Sequence, residues 1–157
     1  MAAKFERRSR GTDWLGLLSF GFFLLLLGTV WAMNPNALAD EAKTFVKSES
    51  WHLKPLTGNL SLPEPTRTFP AIYTAAEQFC LAFGFFEIAI LIIRFVLHDR
   101  LDRKADAVSG IAFWLSAGYF LSLLVNQPPI GWFAFLAGII ISGGIAITAS
   151  SLVKLFR

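Results

Sequence analysis

Four long stretches of apolar residues constrain this chain more than any other feature of its sequence. They run from about residue 14 to 33, 72 to 97, 107 to 125 and 132 to 153. A helix needs about 20 residues to cross a hydrocarbon core of about 30 Å, so each stretch is long enough to span a bilayer. The sequence therefore predicts an all-α integral membrane protein with four transmembrane helices in a single membrane domain.

Composition supports a membrane protein and argues against a nucleic-acid-binding one. Hydrophobic residues make up 55% of the chain and aromatic residues 15%, which is more apolar than a typical soluble domain. The formal net charge is +3, but the basic residues stand in short groups beside the apolar stretches instead of clustering into one patch. The expected partner is therefore the lipid bilayer, with no nucleic acid.

The distribution of basic residues predicts the orientation of the spans. Lys and Arg are more frequent in the cytoplasmic segments of membrane proteins. This asymmetry predicts that both termini are cytoplasmic (N-in/C-in), that residues 34–70 form an extracytoplasmic loop, and that the protein resides in the cell membrane. Ten of the 14 basic residues fall on the predicted cytoplasmic side: Lys4, Arg7, Arg8, Arg10, Arg94, Arg100, Arg103, Lys104, Lys154 and Arg157.

The extracytoplasmic loop is predicted to begin with a short amphipathic helix. Asn34 is a typical N-cap residue and Pro35 suits a first helical turn. Leu38, Ala42 and Phe45 then recur on one helical face, which indicates a helix lying on the outer membrane interface. Beyond this helix we expect an irregular strap or docking loop, because four prolines follow: Pro55, Pro63, Pro65 and Pro70.

Two short patterns allow further interpretations of the outer loop and the first span. Asn59 begins the triplet "NLS", which makes it a possible glycosylation site, although so short a pattern also recurs by chance. The basic "KFERRSR" and the "ALA" at 37–39 resemble parts of a secretory signal peptide. The apolar run between them is longer than the usual signal core of about 7–15 residues, so a membrane span is the favoured reading.

Two carboxylates interrupt the second apolar stretch. At about 100° per residue, Glu77 and Glu87 fall on one helical stripe. Because a charged side chain is costly inside a bilayer, such residues generally face a partner or water. We expect the third stretch to supply that partner, with Ser116 near Glu87 and Asn126 near Glu77, and Glu87 to be a largely neutral, hydrogen-bonded carboxyl. The predicted intramembrane polar seam comprises Tyr73, Glu77, Glu87, Ser116, Tyr119 and Asn126.

Small residues repeat every four positions along the fourth stretch. They permit close approach of two helix backbones. This face can pack inside the four-helix bundle or against another subunit, and the pattern alone is compatible with both. Its members are Ala134, Gly138, Ser142, Ala146 and Ser150.

The sequence favours a non-catalytic accessory or structural subunit of a larger membrane complex, bound to other membrane subunits or to itself. The alternative is a proton- or cation-conducting or small-solute transport protein that uses Glu87 and Glu77. A membrane enzyme fits least well, because no catalytic motif is apparent and the two histidines, His52 and His98, fall on opposite sides of the membrane. A single cysteine, Cys80, excludes a multi-cysteine metal site, and we expect no metal and no cofactor.

The layout of four spans, a helical first outer loop and a second span running from Glu to Arg resembles DoxX-type proteins. The likeness covers layout alone. The first span lacks the histidine and lysine that membership of that family would imply, so the resemblance assigns no activity.

Overall fold

The computed structural model describes residues 14–57, 60–126 and 131–155. Four of its helices are long and apolar enough to cross a membrane, by length and composition. The chain is a small, mostly helical, multi-pass membrane protein, as the sequence predicts. In chain order its elements are α1 (Trp14–Met33), α2 (Pro35–Phe45), a short 3₁₀ helix (Ser48–Ser50), β1 (Trp51–Thr57), β2 (Leu60–Pro65), α3 (Pro70–Val96), α4 (Leu101–Val125) and α5 (Trp132–Leu155).

The helix α4 lies between α3 and α5 and packs closely against both. Cys80 of α3, Ala117 and Leu121 of α4 and Phe135 of α5 form a buried hydrophobic cluster where the three helices meet. These helices therefore form the core of the fold.

The first helix, α1, packs on the outside of this core through aromatic rings. Phe22 stacks on Phe86 of α3 with ring centroids 3.8 Å apart, and Phe23 meets Phe79 edge-on at 5.1 Å. Most of the large side chains of α1 are exposed in the isolated chain, which suits a helix surrounded mainly by lipid.

The turn between α3 and α4 is shorter than the sequence indicates. Helix α4 begins at Leu101, not near residue 107, because the charged residues after the turn continue the helix beyond the apolar run. The end of α3 is closed by two backbone hydrogen bonds, from His98 N–H to the Phe95 carbonyl at 3.1 Å and from Asp99 N–H to the Arg94 carbonyl at 3.0 Å. His98 has a φ of 53°, so this is a left-handed cap of the Schellman type.

The segment between α1 and α3 contains the short helix that the sequence predicts, α2, but the chain that follows is not irregular. It forms an antiparallel hairpin in which Trp51 pairs with Pro65 and His52 with Glu64. Prolines are compatible with this hairpin because a two-stranded ribbon uses only every second backbone N–H of each strand. Asn59, the possible glycosylation site, lies outside the described residues.

The predicted orientation can be tested by cysteine labelling. The chain's one cysteine, Cys80, is buried and should contribute little background. Glu49 and Arg100 are exposed near opposite ends of α3. We expect a membrane-impermeant maleimide to label Glu49→Cys in intact cells and Arg100→Cys only after the membrane is opened. Labelling of both from the same side would contradict the predicted topology.

Candidate functional site

Glu87 is the central residue of the predicted seam. Its carboxyl group lies near residues of α4 and α1 and near Arg94 of its own helix, α3. On α4, Gly110 lies so close that a Cβ added to it would be 3.8 Å from Glu87 Oε2. On α1, the Ser19 side chain faces the Glu87 carboxyl group and can donate to it, and Arg94, two turns along α3, attracts it electrostatically. Ser19 is not among the predicted seam residues. Its hydroxyl group, isolated in a Leu- and Phe-rich stretch, is a sequence feature that could have indicated a polar contact inside the membrane.

The structure does not bring Ser116 to Glu87. The Ser116 hydroxyl donates to the backbone carbonyls of its own helix, to Ala112 at 2.6 Å and to Phe113 at 3.1 Å. The residue next to it, Leu115, faces Gly84 instead. The short turn near residue 99 shifts the pairing of α3 and α4 by about one helical turn from the expected one, which places Gly110 at the level of Glu87.

The remaining predicted seam residues are dispersed. Tyr73 is buried near the start of α3, with its ring 6.3 Å from that of Trp132. The Asn126 amide donates to the Ser122 hydroxyl at 2.9 Å. Tyr119 is 59% exposed and lies on the outer face of α4, and Glu77 is half-buried.

An apolar layer separates Glu77 from Glu87 along their shared stripe. Cys80 is buried, and its Cβ lies 3.3 Å from the position that a Cβ of Gly118 would take. Gly84 is covered by the Leu115 side chain. The two carboxylates therefore lie in separate environments and do not form one continuous polar seam.

The small-residue face of α5 is used largely inside the fold. Gly138, Ser142 and Ala146 are buried, and a Cβ on Gly138 would overlap the ring of Phe120 on α4. The Ser142 hydroxyl donates to the Gly138 carbonyl at 2.9 Å, so it needs no partner from another helix. Ala134 is exposed and Ser150 is half-buried at the two ends of this face.

A different face of α5 remains open. It carries a shallow groove of about 520 Å³ lined by Ile141, Gly144, Ile145, Thr148, Ala149 and Leu152. A Cβ added to Gly144 would have no atom within 4 Å. We call these six residues the outer α5 groove.

Aromatic residues attach the segment between α1 and α3 to the helix bundle, which the sequence does not predict. Phe45 of α2 contacts the rings of Trp51 at 4.9 Å and Phe69 at 5.1 Å. Trp51 also meets Trp132 of α5 at 5.8 Å, and its indole N–H donates to the Phe45 carbonyl at 2.7 Å. The hairpin is therefore a packed part of the structure.

A cluster of charges lies at the opposite end of the bundle. Arg94 is 8% exposed, and its Nη1 is 3.5 Å from Asp99 Oδ2. Arg103 Nη1 lies 3.4 Å from Asp99 Oδ1, which also accepts the Arg100 backbone N–H at 2.9 Å. Residues read from the sequence as orientation signals thus also fix the α3–α4 turn.

Within residues 14–57, 60–126 and 131–155, no three His, Cys, Asp or Glu side chains are grouped so that they could hold a metal ion. Comparisons of the chain with protein-family models, with curated proteins and with solved structures found no match.

Proposed function

We propose that this protein is a non-catalytic accessory subunit of a larger membrane assembly and that it docks through the outer α5 groove. The observation that supports this proposal is the outward position of Gly144. Small residues on a membrane helix let a second helix approach closely, and Thr148 lies one turn further along the same groove.

The cost of glycine in a helix strengthens this interpretation. Gly143 and Gly144 lie in the middle of α5, and neither would contact another atom within 4 Å through an added Cβ. Each glycine costs a helix interior about 1 kcal/mol relative to alanine. Close packing inside this chain does not explain that cost at either position, whereas close packing against a second helix would explain it.

The neighbouring side chains give the groove an apolar rim. Ile141 is 52% exposed, and Ile145 is 45% exposed. A partner helix seated on Gly144 would cover both isoleucines, and the gain would come from van der Waals packing because lipid is itself apolar.

The structure gives less support to a proton or cation pathway. Such a pathway would link Glu77 to Glu87, but Cys80 and Gly84 are packed against α4 between them. Glu87 is also engaged by Ser19 and attracted by Arg94. These contacts suit a structural carboxylate better than a relay group.

The docking proposal can be tested with Gly144→Leu and a matched control, Gly28→Leu. Both glycines lie in membrane helices with open space around an added Cβ. After purification in mild detergent, we expect the wild-type protein and Gly28→Leu to recover other membrane subunits in constant stoichiometry. We expect Gly144→Leu to reduce that recovery at least tenfold without lowering the unfolding temperature.

Two results would contradict the accessory role. One is a wild-type protein that purifies from native membranes as a partner-less monomer. The other is proton flux in reconstituted vesicles that Glu87→Gln abolishes, which would establish the transport alternative.

A further inference from the structure

Two adjoining cavities lie between α1, α2 and α3, on the side of the bundle away from the outer α5 groove. The larger has a volume of about 440 Å³ and is lined by apolar side chains that include Leu27, Phe45, Ala76 and Phe79. This volume falls within the range of about 300–1,000 Å³ typical of ligand pockets. We call it the apolar crevice.

The smaller cavity, of about 300 Å³, is lined in part by the polar side chains of Asn34, Thr74 and Gln78. We call it the polar chamber. Val30, Leu38 and Ala75 line both cavities, so the two share a common wall. A molecule that has a polar end and an apolar end could occupy both.

The two cavities overlap in depth along α3, because the polar chamber is lined from Pro70 to Gln78 and the apolar crevice from Ile72 to Phe79; they are displaced from each other along α1. The polar chamber is lined by Asn34, after the end of α1, and by Pro70, at the start of α3. On α1 the apolar crevice extends to Leu27, which lies further inside that span than Val30 and Asn34 of the polar chamber. A lipid entering from one leaflet would place its head group near Asn34 and its chain beside Phe79.

The charges near the polar chamber select the kind of head group. Among the described residues that line the two cavities, none is charged. The nearby carboxylate of Glu41 accepts the backbone N–H of Ile72 at 3.1 Å, so a negative charge stands at the start of α3. The described lining offers no cation to an anionic head group, whereas hydroxyl or ester groups can bond to Asn34, Thr74 and Gln78.

From these observations we propose that α1, α2 and α3 form a binding site for a membrane glycerolipid with an uncharged head group. One hydrocarbon chain lies in the apolar crevice, and the hydroxyl and ester groups lie in the polar chamber. The site does not involve α5, so it stands or falls independently of the docking proposal.

The test is photo-crosslinking of the full-length protein in phosphatidylcholine vesicles. The probe is a diacylglycerol that carries a diazirine in one acyl chain, compared with phosphatidic acid that carries the same chain. We expect the diacylglycerol probe to label peptides containing residues 27–46 and 70–79, at least fivefold more than the phosphatidic acid probe does.

Two variants of α3 give the result its specificity. Ala75→Phe fills the wall between the cavities and should lower diacylglycerol labelling at least tenfold, whereas Ala89→Phe, at an exposed position of the same helix, should leave it unchanged. Gln78 is exposed, so Gln78→Leu should fold normally and lower the preference for diacylglycerol over phosphatidic acid about threefold.

Three outcomes would overturn the proposal. Labelling spread evenly over α5 and α1 would indicate bulk lipid contact only. Equal labelling by both probes would refute the uncharged head group. Should Ala75→Phe prove unstable, an unchanged probe preference in Gln78→Leu would refute the polar chamber by itself.

Discussion

Replacement of Asp99 by alanine is expected to lower the free energy of unfolding by about 3 kcal/mol, since removal of one partner of a buried ion pair costs about 3–5 kcal/mol. Asp99 contacts both Arg94 and Arg103 through its carboxylate, and it is 14% exposed. Its loss would leave the buried Arg94 guanidinium without its ion pair to the α3–α4 turn. Unfolding in mixed detergent micelles by titration with dodecyl sulfate measures the change.

The matched control for this prediction is Asp106→Ala. The Asp106 carboxylate lies 3.9 Å from Lys154 Nζ, but it is 72% exposed. Exposed ion pairs contribute about 0–1 kcal/mol, so this variant should unfold almost as the wild-type protein does. Equal losses in the two variants would show that the Arg94–Asp99–Arg103 cluster has no special role in stability.

Replacement of Gly138 by leucine is expected to destabilise the fold by about 3 kcal/mol or more, at or beyond the upper end of the usual cost of overpacking a core. Even a Cβ at this position would overlap carbons of the Phe120 ring. A leucine would push α5 away from α4 and open the buried cluster around Phe135. The unfolding temperature of the purified protein in detergent reports the loss.

Gly144→Leu serves as the control on the same helix, because its side chain would extend into open space. We expect it to unfold at or slightly above the wild-type temperature when the protein is isolated, because leucine favours a helix more than glycine does. If Gly138→Leu were as stable as Gly144→Leu, α5 would not pack on α4 through Gly138.

The membrane spans could be predicted from sequence because they depend on apolar length, which a single chain displays directly. The bounds of α1 agree with the predicted first span, and α5 begins at the predicted Trp132. The partners of Glu87 could not be predicted in the same way. They depend on where α3 stops, which is set by the left-handed backbone at His98. A shift of one turn there changes every pairing between α3 and α4.

The sequence also could not predict whether the small-residue face of α5 packs inside the bundle or against another subunit, because one sequence does not show which side of a helix faces its neighbours. Gly138 and Gly144 are alike in composition, yet Gly138 meets Phe120 and Gly144 meets open space. The hairpin was missed for another reason. Its prolines favoured irregular chain, whereas their positions in the register are compatible with paired strands.

The positions of the prolines in the hairpin limit its ability to pair with a further β-strand. Thr66 N–H donates to the Ser50 carbonyl at 2.8 Å, so by alternation Leu53↔Pro63 and Pro55↔Ser61 are pairs whose backbone groups point away from the partner strand. On β2, two of the three outward positions in the register are proline and only Ser61 retains an N–H. A third strand added along β2 would therefore find one donor. The β2 edge is thus unsuited to sheet extension, which limits edge-to-edge aggregation along that strand.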